Sequence, residues 1–274
     1  MQMEHVISIG GGISSTWLLV DRVLAKYPRE SVHAVICPVD NEHPDVWRLC
    51  DAVSSKYGIP IHRIGESKDI WQVFFREHMM GNPFADPCSR ILKREKMGAY
   101  MRQYQPEDTL LHVGITADEI DRMMAITRNW NKQGYKVEAD LADEPKLNRE
   151  LLIEMCKEEF GFAPQLYLEG FSHNNCGGFC VKAGKGQMAR LIYYHPDIYR
   201  YHERMEQTHQ RFFCHDNTIM RDEWSKGGVR GAEPLSLKNF RQRMESKWAN
   251  LLPGFDPFEG LDATPGCSFC DAAA

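Results

Sequence analysis

Short apolar runs alternate with helical stretches along the first half of the chain. Val6 to Ile9 predicts a strand, Ser14 to Lys26 a helix capped by Ser14, and Val32 to Val39 a strand covered on both faces. Pro44 to Tyr57 predicts a helix ended by Gly58, and Ile59 to Ile64 a third strand. Asp69 to Met79 and Arg90 to Tyr104 carry helical periods on either side of a loop, Asn82 to Cys88, and Thr109 to Val113 is a fourth strand. Such alternation builds right-handed β–α–β units on a parallel sheet with helices on both faces. Ligands then bind beyond the carboxyl ends of the strands. The second half reads differently. Leu147 to Phe160, Gln187 to Tyr194, Asp197 to Phe213 and Leu237 to Trp248 predict helices, a glycine-rich loop runs from Ala163 to Gly186, and the tail from Pro253 has no period. The expected organisation is an α/β domain over residues 1–145 and a mainly helical, Cys-rich region over residues 146–274 packed on it.

The first strand runs into Gly10-Gly11-Gly12, with Ser14-Ser15-Thr16 at the head of the next helix. Glycines let backbone amides approach a ligand closely, and a helix start adds bare N–H groups and the positive end of its dipole. The turn therefore has the form of an anion cradle; on these residues alone a plain tight turn is the alternative. With 274 residues, 43% hydrophobic and 26% charged, the chain can bury one large core or a domain with a subdomain. No apolar run approaches the roughly 20 residues of a membrane span. Met1-Gln2-Met3-Glu4-His5 lacks a signal pattern, so the expected location is the cytosol. A net charge of −5 excludes a broadly basic nucleic-acid surface and leaves local patches, Lys182-Lys185-Arg190 or Lys226-Arg230.

Nine cysteines without a secretion pattern point to metal, redox or catalytic use. Cys37, Cys50, Cys156 and Cys214 stand singly and read as buried small hydrophobes. Cys176 and Cys180 form a C-x3-C, with Gly177-Gly178 allowing a tight loop, and Cys267 and Cys270 form a C-x2-C. Two such half-sites can complete a four-sulfur site for zinc or an iron–sulfur cluster. Cys88, in a proline-bounded loop beside Arg90, competes for the fourth position. His173 reads as a packing residue beside this loop. His195, His202 and His209, seven residues apart on one helical face, read as structural histidines, with metal or substrate binding as the alternative.

Four stretches in order resemble one family. Gly10 to Thr16 (GGGISST) resembles the pyrophosphate loop of the adenine nucleotide alpha hydrolase superfamily, the N-type ATP pyrophosphatases and their relatives. Val39 to Ile64 (VDNEHP onward), Cys88 to Met97 (CSRILKREKM) and Gly114 to Met123 (GITADEIDRM) resemble segments of its phosphoadenylyl-sulfate (PAPS) reductase-like branch. The similarity spans residues 5–185. Gly10 stands where that loop has Ser, Ser14 where it has Asp, and Thr116 where the branch has Arg.

The resemblance implies a nucleotide-binding first domain. Gly10, Gly11, Gly12, Ser14, Ser15 and Thr16 would cradle the phosphates of ATP or PAPS, Asp40 would approach the ribose or adenine, and Glu119 and Arg122 would either join the nucleotide site or pair with each other. Magnesium, lacking the loop carboxylate, would be held mainly by phosphates and water. Cys88, Arg90 and Lys93 would form the catalytic group, the two cations offsetting phosphate charge. The resemblance favours a [4Fe-4S] cluster over zinc on Cys176, Cys180, Cys267 and Cys270. The implied activity is ATP-dependent, AMP- and pyrophosphate-forming adenylation of a nucleic acid or small molecule for sulfur transfer, with a sulfur-donor protein as partner. Two alternatives stand beside it: a PAPS or adenylyl-sulfate reductase with Cys267 or Cys270 as nucleophile, and a nucleotide-binding regulatory subunit.

Overall fold

A computed structural model describes residues 3–144, 147–226 and 229–261. Five parallel strands form the central sheet: β1 (Glu4–Ser8), β2 (Val32–Ile36), β3 (Ile61–Arg63), β4 (Thr109–His112) and β5 (Lys136–Glu138), in the order β3-β2-β1-β4-β5. The chain builds outward from β1 in one direction and then returns to its other side. Such a sheet has its topological switch point between β1 and β4.

Alternation along β1 sorts the two faces. Ile7 and Ile9, with Ala34 and Ile36, pack beneath α1 (residues 13–26, with a π segment at Leu18–Val23), α2 (Pro44–Tyr57) and α6 (Arg149–Phe160). Val6, with Val35 and Leu111, packs beneath α4 (residues 87–101) and α5 (Ile120–Asn131). Helices thus cover both faces, which is why the strands read as continuous apolar runs. Gly58 ends α2 at φ +62°, and the Asn148 side chain accepts from Leu151 N at 2.9 Å to cap α6.

A third core joins the halves of the chain. α3 (Ile70–Glu77) and Leu92 of α4 pack with Leu166 of α7 (Gln165–Leu168), α8 (Lys185–Tyr194), α9 (Pro196–Phe213) and α10 (Leu237–Ala249). Meanwhile α6, from beyond residue 145, packs on the sheet with the first half. Packing therefore crosses the division at residue 145 in both directions. No helix among the described residues is long and apolar enough to cross a membrane.

Three expectations change. Gly12, not Ser14, is the N-cap of α1, and it makes no side-chain cap bond. β5 appears within a polar stretch, and β6 (Met220–Lys226) pairs antiparallel with β7 (Val229–Leu235) where no strands were expected. Cys214 is exposed at φ +51°, ending α9, whereas Cys50 and Cys156 are buried and Cys37 is partly so.

The histidines of α9, and His195 just before it, are taken up by contacts within the fold. His202 is 1% exposed, its ring stacks on Phe179 with centroids 3.6 Å apart, and its Nδ1 accepts from Trp71 Nε1 at 2.9 Å. His209 is buried and bonds Phe74 O at 3.2 Å, and His195 pairs with Glu169 at 2.6 Å. Burial pushes the His202 pKa down from 6.5 to about 3. The unfolded chain therefore takes up a proton before the native state does. Stability from this group is complete above pH 6.5 and is lost as the pH falls towards about 3. Glu206 acts oppositely, since burial raises its pKa to about 7 and the fold favours its protonated form. The His202 contribution is isolated by comparing urea midpoints at pH 7 and pH 5 for the parent and for His202→Asn. The parent should lose more stability on acidification than the variant, and equal losses would refute the assignment.

Candidate functional site

The switch point places two loops side by side. After β1 the chain turns through Gly10 to Gly12, with Gly11 at φ +74°. A Cβ on Gly11 would lie 2.3 Å from Val46 Cγ1, so this position tolerates only glycine while α2 packs as it does. After β4, Gly114 lies against the start of α1, where a Cβ would come 2.6 Å from both Ser15 N and Ser15 Cα. Within the turn, Ser15 Oγ donates to Gly12 O at 3.2 Å and accepts from Gly10 N at 3.2 Å; Thr16 Oγ1 donates to Gly12 O at 3.0 Å. Both hydroxyls hold the turn's shape, and α1 begins without a side-chain acceptor on its first amides. A helix start of this kind offers N–H groups and positive dipole charge to an anion.

A third loop comes from the second half. Residues Asn175–Gly178 form a tight turn in which Cys176 stands at φ +54° and Gly177 at φ +58°. Asn174, fully buried, donates from Nδ2 to Gly11 O at 3.3 Å. The Cys176 amide donates to Glu42 Oε2 at 2.5 Å, and Lys93 Nζ reaches Glu42 Oε1 at 3.1 Å. A Cβ on Gly177 would lie 2.8 Å from Asn41 O, so the turn sits hard on the loop after β2. Asn174 Oδ1 is buried and has no hydrogen-bond partner among the described residues. It is an acceptor beside the glycine turn.

Behind this turn lies a small cavity of about 20 Å³, lined by Cys88, Cys176, Cys180, Lys93, Asp86 and Phe179, among others. Three cysteines from two distant segments thus meet at one cavity. Cys267 and Cys270 lie outside the described residues. Thiolates are the ligands of zinc and of iron–sulfur clusters, so these three sulfurs are candidate ligands by chemistry, in a space that as it stands holds about one water. The isolated cysteines differ. Burial pushes the thiol pKa up to about 11 at Cys37 and Cys156 and to about 12 at Cys50, which keeps them protonated and inert.

The remaining expected residues divide. Lys93 is 6% exposed at the cavity wall, whereas Arg90 is on the surface, paired with Glu77 and Glu95 at 2.7 Å each. Asp40 is exposed and accepts from Ser67 Oγ. Glu119 and Arg122 pair with each other at 2.5 Å. Of the basic patches, Lys182 pairs with Asp86 at 3.3 Å, Lys185 with Asp222 at 2.7 Å, and Arg190 lies over the Phe258 ring at 4.5 Å. Burial opposes ionisation of Asp86, but Arg94 and Lys182 outweigh it and hold the carboxyl below its ordinary range. Glu42 and Asp86 were not singled out from sequence. Glu42 does sit in the VDNEHP stretch beyond β2, where a polar residue is placed at the ligand end of a parallel sheet.

A second polar group lies apart from this site. His5 Nδ1 and His112 Nε2 stand 3.1 Å apart, and His112 Nδ1 is 2.9 Å from Asp140 Oδ2. One tautomer satisfies both contacts: His5 donates to His112, which donates to Asp140. Compared with protein-family models, curated proteins and solved structures, the chain matches none.

Proposed function

We propose that the chain is an ATP-consuming adenylating enzyme that serves sulfur transfer. One observation carries the reading: the glycine turn at the switch point and the three-cysteine cavity are joined directly, through Asn174 on Gly11 and Glu42 between Lys93 and Cys176. A phosphate cradle and a sulfur-handling site within one contact network suit a reaction that uses both. In this reading the amides of α1 and the glycine turn bind phosphate oxygens, and Lys93 balances the charge that develops as pyrophosphate leaves. An acceptor oxygen attacks the α-phosphorus, pyrophosphate departs, and a sulfur nucleophile then displaces AMP. The acceptor is a nucleic acid or a small molecule.

Cys88, Cys176 and Cys180 would hold the metal group, with Cys267 or Cys270 as fourth ligand. Among the described residues, the three ligand-type atoms within 4.8 Å of one another are those of His112, Glu138 and Asp140, so the three cysteine sulfurs are spread more widely. A single zinc would draw thiolates to roughly 3.8 Å of each other, whereas a cluster binds each to a separate iron. The resemblance, not the spacing, favours the cluster, which when bound would supply a place for the incoming sulfur.

Purified chain incubated anaerobically with ATP labelled at the α- or γ-phosphate tests the reading, with and without added nucleic acid. Formation of AMP and pyrophosphate supports it. Inert ATP with turnover of PAPS would replace it by the reductase, and tight ATP binding without cleavage by a regulatory role.

A further inference from the structure

We propose that Glu42 is a positioning residue that couples nucleotide occupancy of the glycine turn to the state of the cysteine turn; this rests on the nucleotide site proposed above. Its side chain is only 3% exposed, and its two oxygens hold groups from two segments distant in the chain. Oε1 takes the Lys93 ammonium at 3.1 Å, and Oε2 takes the Cys176 amide at 2.5 Å. Cys176 stands at φ +54°, a conformation in which an L side chain is strained and which its surroundings must impose. The Glu42 carboxylate is one such constraint. The close approach of Gly177 to Asn41 O and the bond from Asn174 to Gly11 O are two more, and these three tie the turn to loops at the carboxyl ends of β1 and β2.

Charge gives the link its direction. Lys93 is buried between Glu42 and the cavity, where charge interactions are far stronger than in water. With Lys93 serving phosphate as in the proposed function, an anion arriving at the turn competes with Glu42 for that ammonium. As Lys93 shifts towards phosphate, the carboxylate is less neutralised, and its charge-assisted bond to the Cys176 amide tightens. Nucleotide binding therefore orders the cysteine turn, and by reciprocity an ordered turn favours nucleotide. Adenylation and sulfur delivery are kept in step by one carboxylate.

Hydrogen exchange on the full chain tests this without requiring metal. Peptides covering Asn174 to Cys180 are followed with and without α,β-methylene-ATP and magnesium, and binding is measured by calorimetry. In the parent, nucleotide should slow exchange there by about fivefold or more. Glu42→Gln keeps the volume and an acceptor but removes the charge; it should still bind nucleotide at saturating concentration and lose the nucleotide-dependent slowing. A merely structural role would speed exchange in both states and leave their ratio intact. Should Glu42→Gln fail to fold, Glu42→Gln/Lys93→Met removes both buried charges and should show no response at nucleotide concentrations where calorimetry finds its site saturated. A parent that binds no nucleotide overturns the proposed function itself. A parent that binds without any change in exchange, or a charge-free variant that still responds, overturns the coupling alone.

Discussion

Gly114→Ala should weaken ATP binding by about tenfold to a hundredfold while the sheet stays folded. A methyl at this position would stand 2.6 Å from Ser15 N and Ser15 Cα and 3.0 Å from Ser14 C. These are backbone atoms at the start of α1 and cannot rotate away as a side-chain tip could. The helix start must move, and the amides of Ser14 and Ser15 move with it, out of register with the glycine turn whose shape Ser15 Oγ sets. Overpacking of this kind costs about 1–3 kcal/mol, and here it falls on the geometry that holds phosphate. Gly98→Ala is the matched control. It lies within α4 and its nearest neighbour is the Arg102 guanidinium at 3.8 Å, so the substitution should stabilise the helix and leave ATP binding unchanged. Calorimetric titration with magnesium ATP, beside thermal melts of each variant, separates a loss at the site from a loss of fold. Equal affinity in Gly114→Ala and the parent would remove the turn as the phosphate site.

The same contrast explains what the sequence could tell. Strands buried on both faces, such as β1 and β2, have continuous apolar runs, and the glycine turn between β1 and α1 is local, so both are legible. β5 is not. Lys136-Val137-Glu138 is three residues at the edge of the sheet, paired with β4 alone among the described strands. The β6–β7 pair fails for a similar reason: MRDEWSK and VRGAEPL lack a continuous apolar run and include Pro234. Ser14 looks like a cap because caps are read from residue type, but Gly12 takes the extended ψ of 160° there and supplies no side-chain cap. Glu42 could be placed at the ligand end of a strand but not given a role, since its partners Lys93 and Cys176 lie 51 and 134 residues away. C-x3-C spacing picks out Cys176 and Cys180. That Cys88 joins them is a property of packing, since α3, the start of α4 and the cysteine turn share one core.

Loss of metal on removing any one of Cys88, Cys176 or Cys180 should be the largest single effect in the molecule. Each lines the same cavity, and serine supplies a hydroxyl in place of the thiolate that a soft iron site needs. Chain purified anaerobically should be brown and carry iron with labile sulfide. Cys88→Ser, Cys176→Ser and Cys180→Ser should each lose most of both, whereas Cys37→Ser, Cys50→Ser and Cys214→Ser should keep them. Burial leaves Cys37 and Cys50 protonated, with pKa values near 11 and 12, and Cys214 is exposed and lines a different pocket from the three. Cys267→Ser and Cys270→Ser, singly and together, then identify the fourth ligand: one single variant should match the double, and the other should match the parent. The metal should also contribute to stability, because a cluster binds the folded arrangement of thiolates and not the dispersed ones of the unfolded chain. Melting points of the parent and of Cys88→Ser, with and without a chelator, measure that link. A colourless chain with one zinc would keep the thiolate site and remove the cluster. Full iron in Cys88→Ser would return Cys88 to the cavity wall and leave both tail cysteines as ligands.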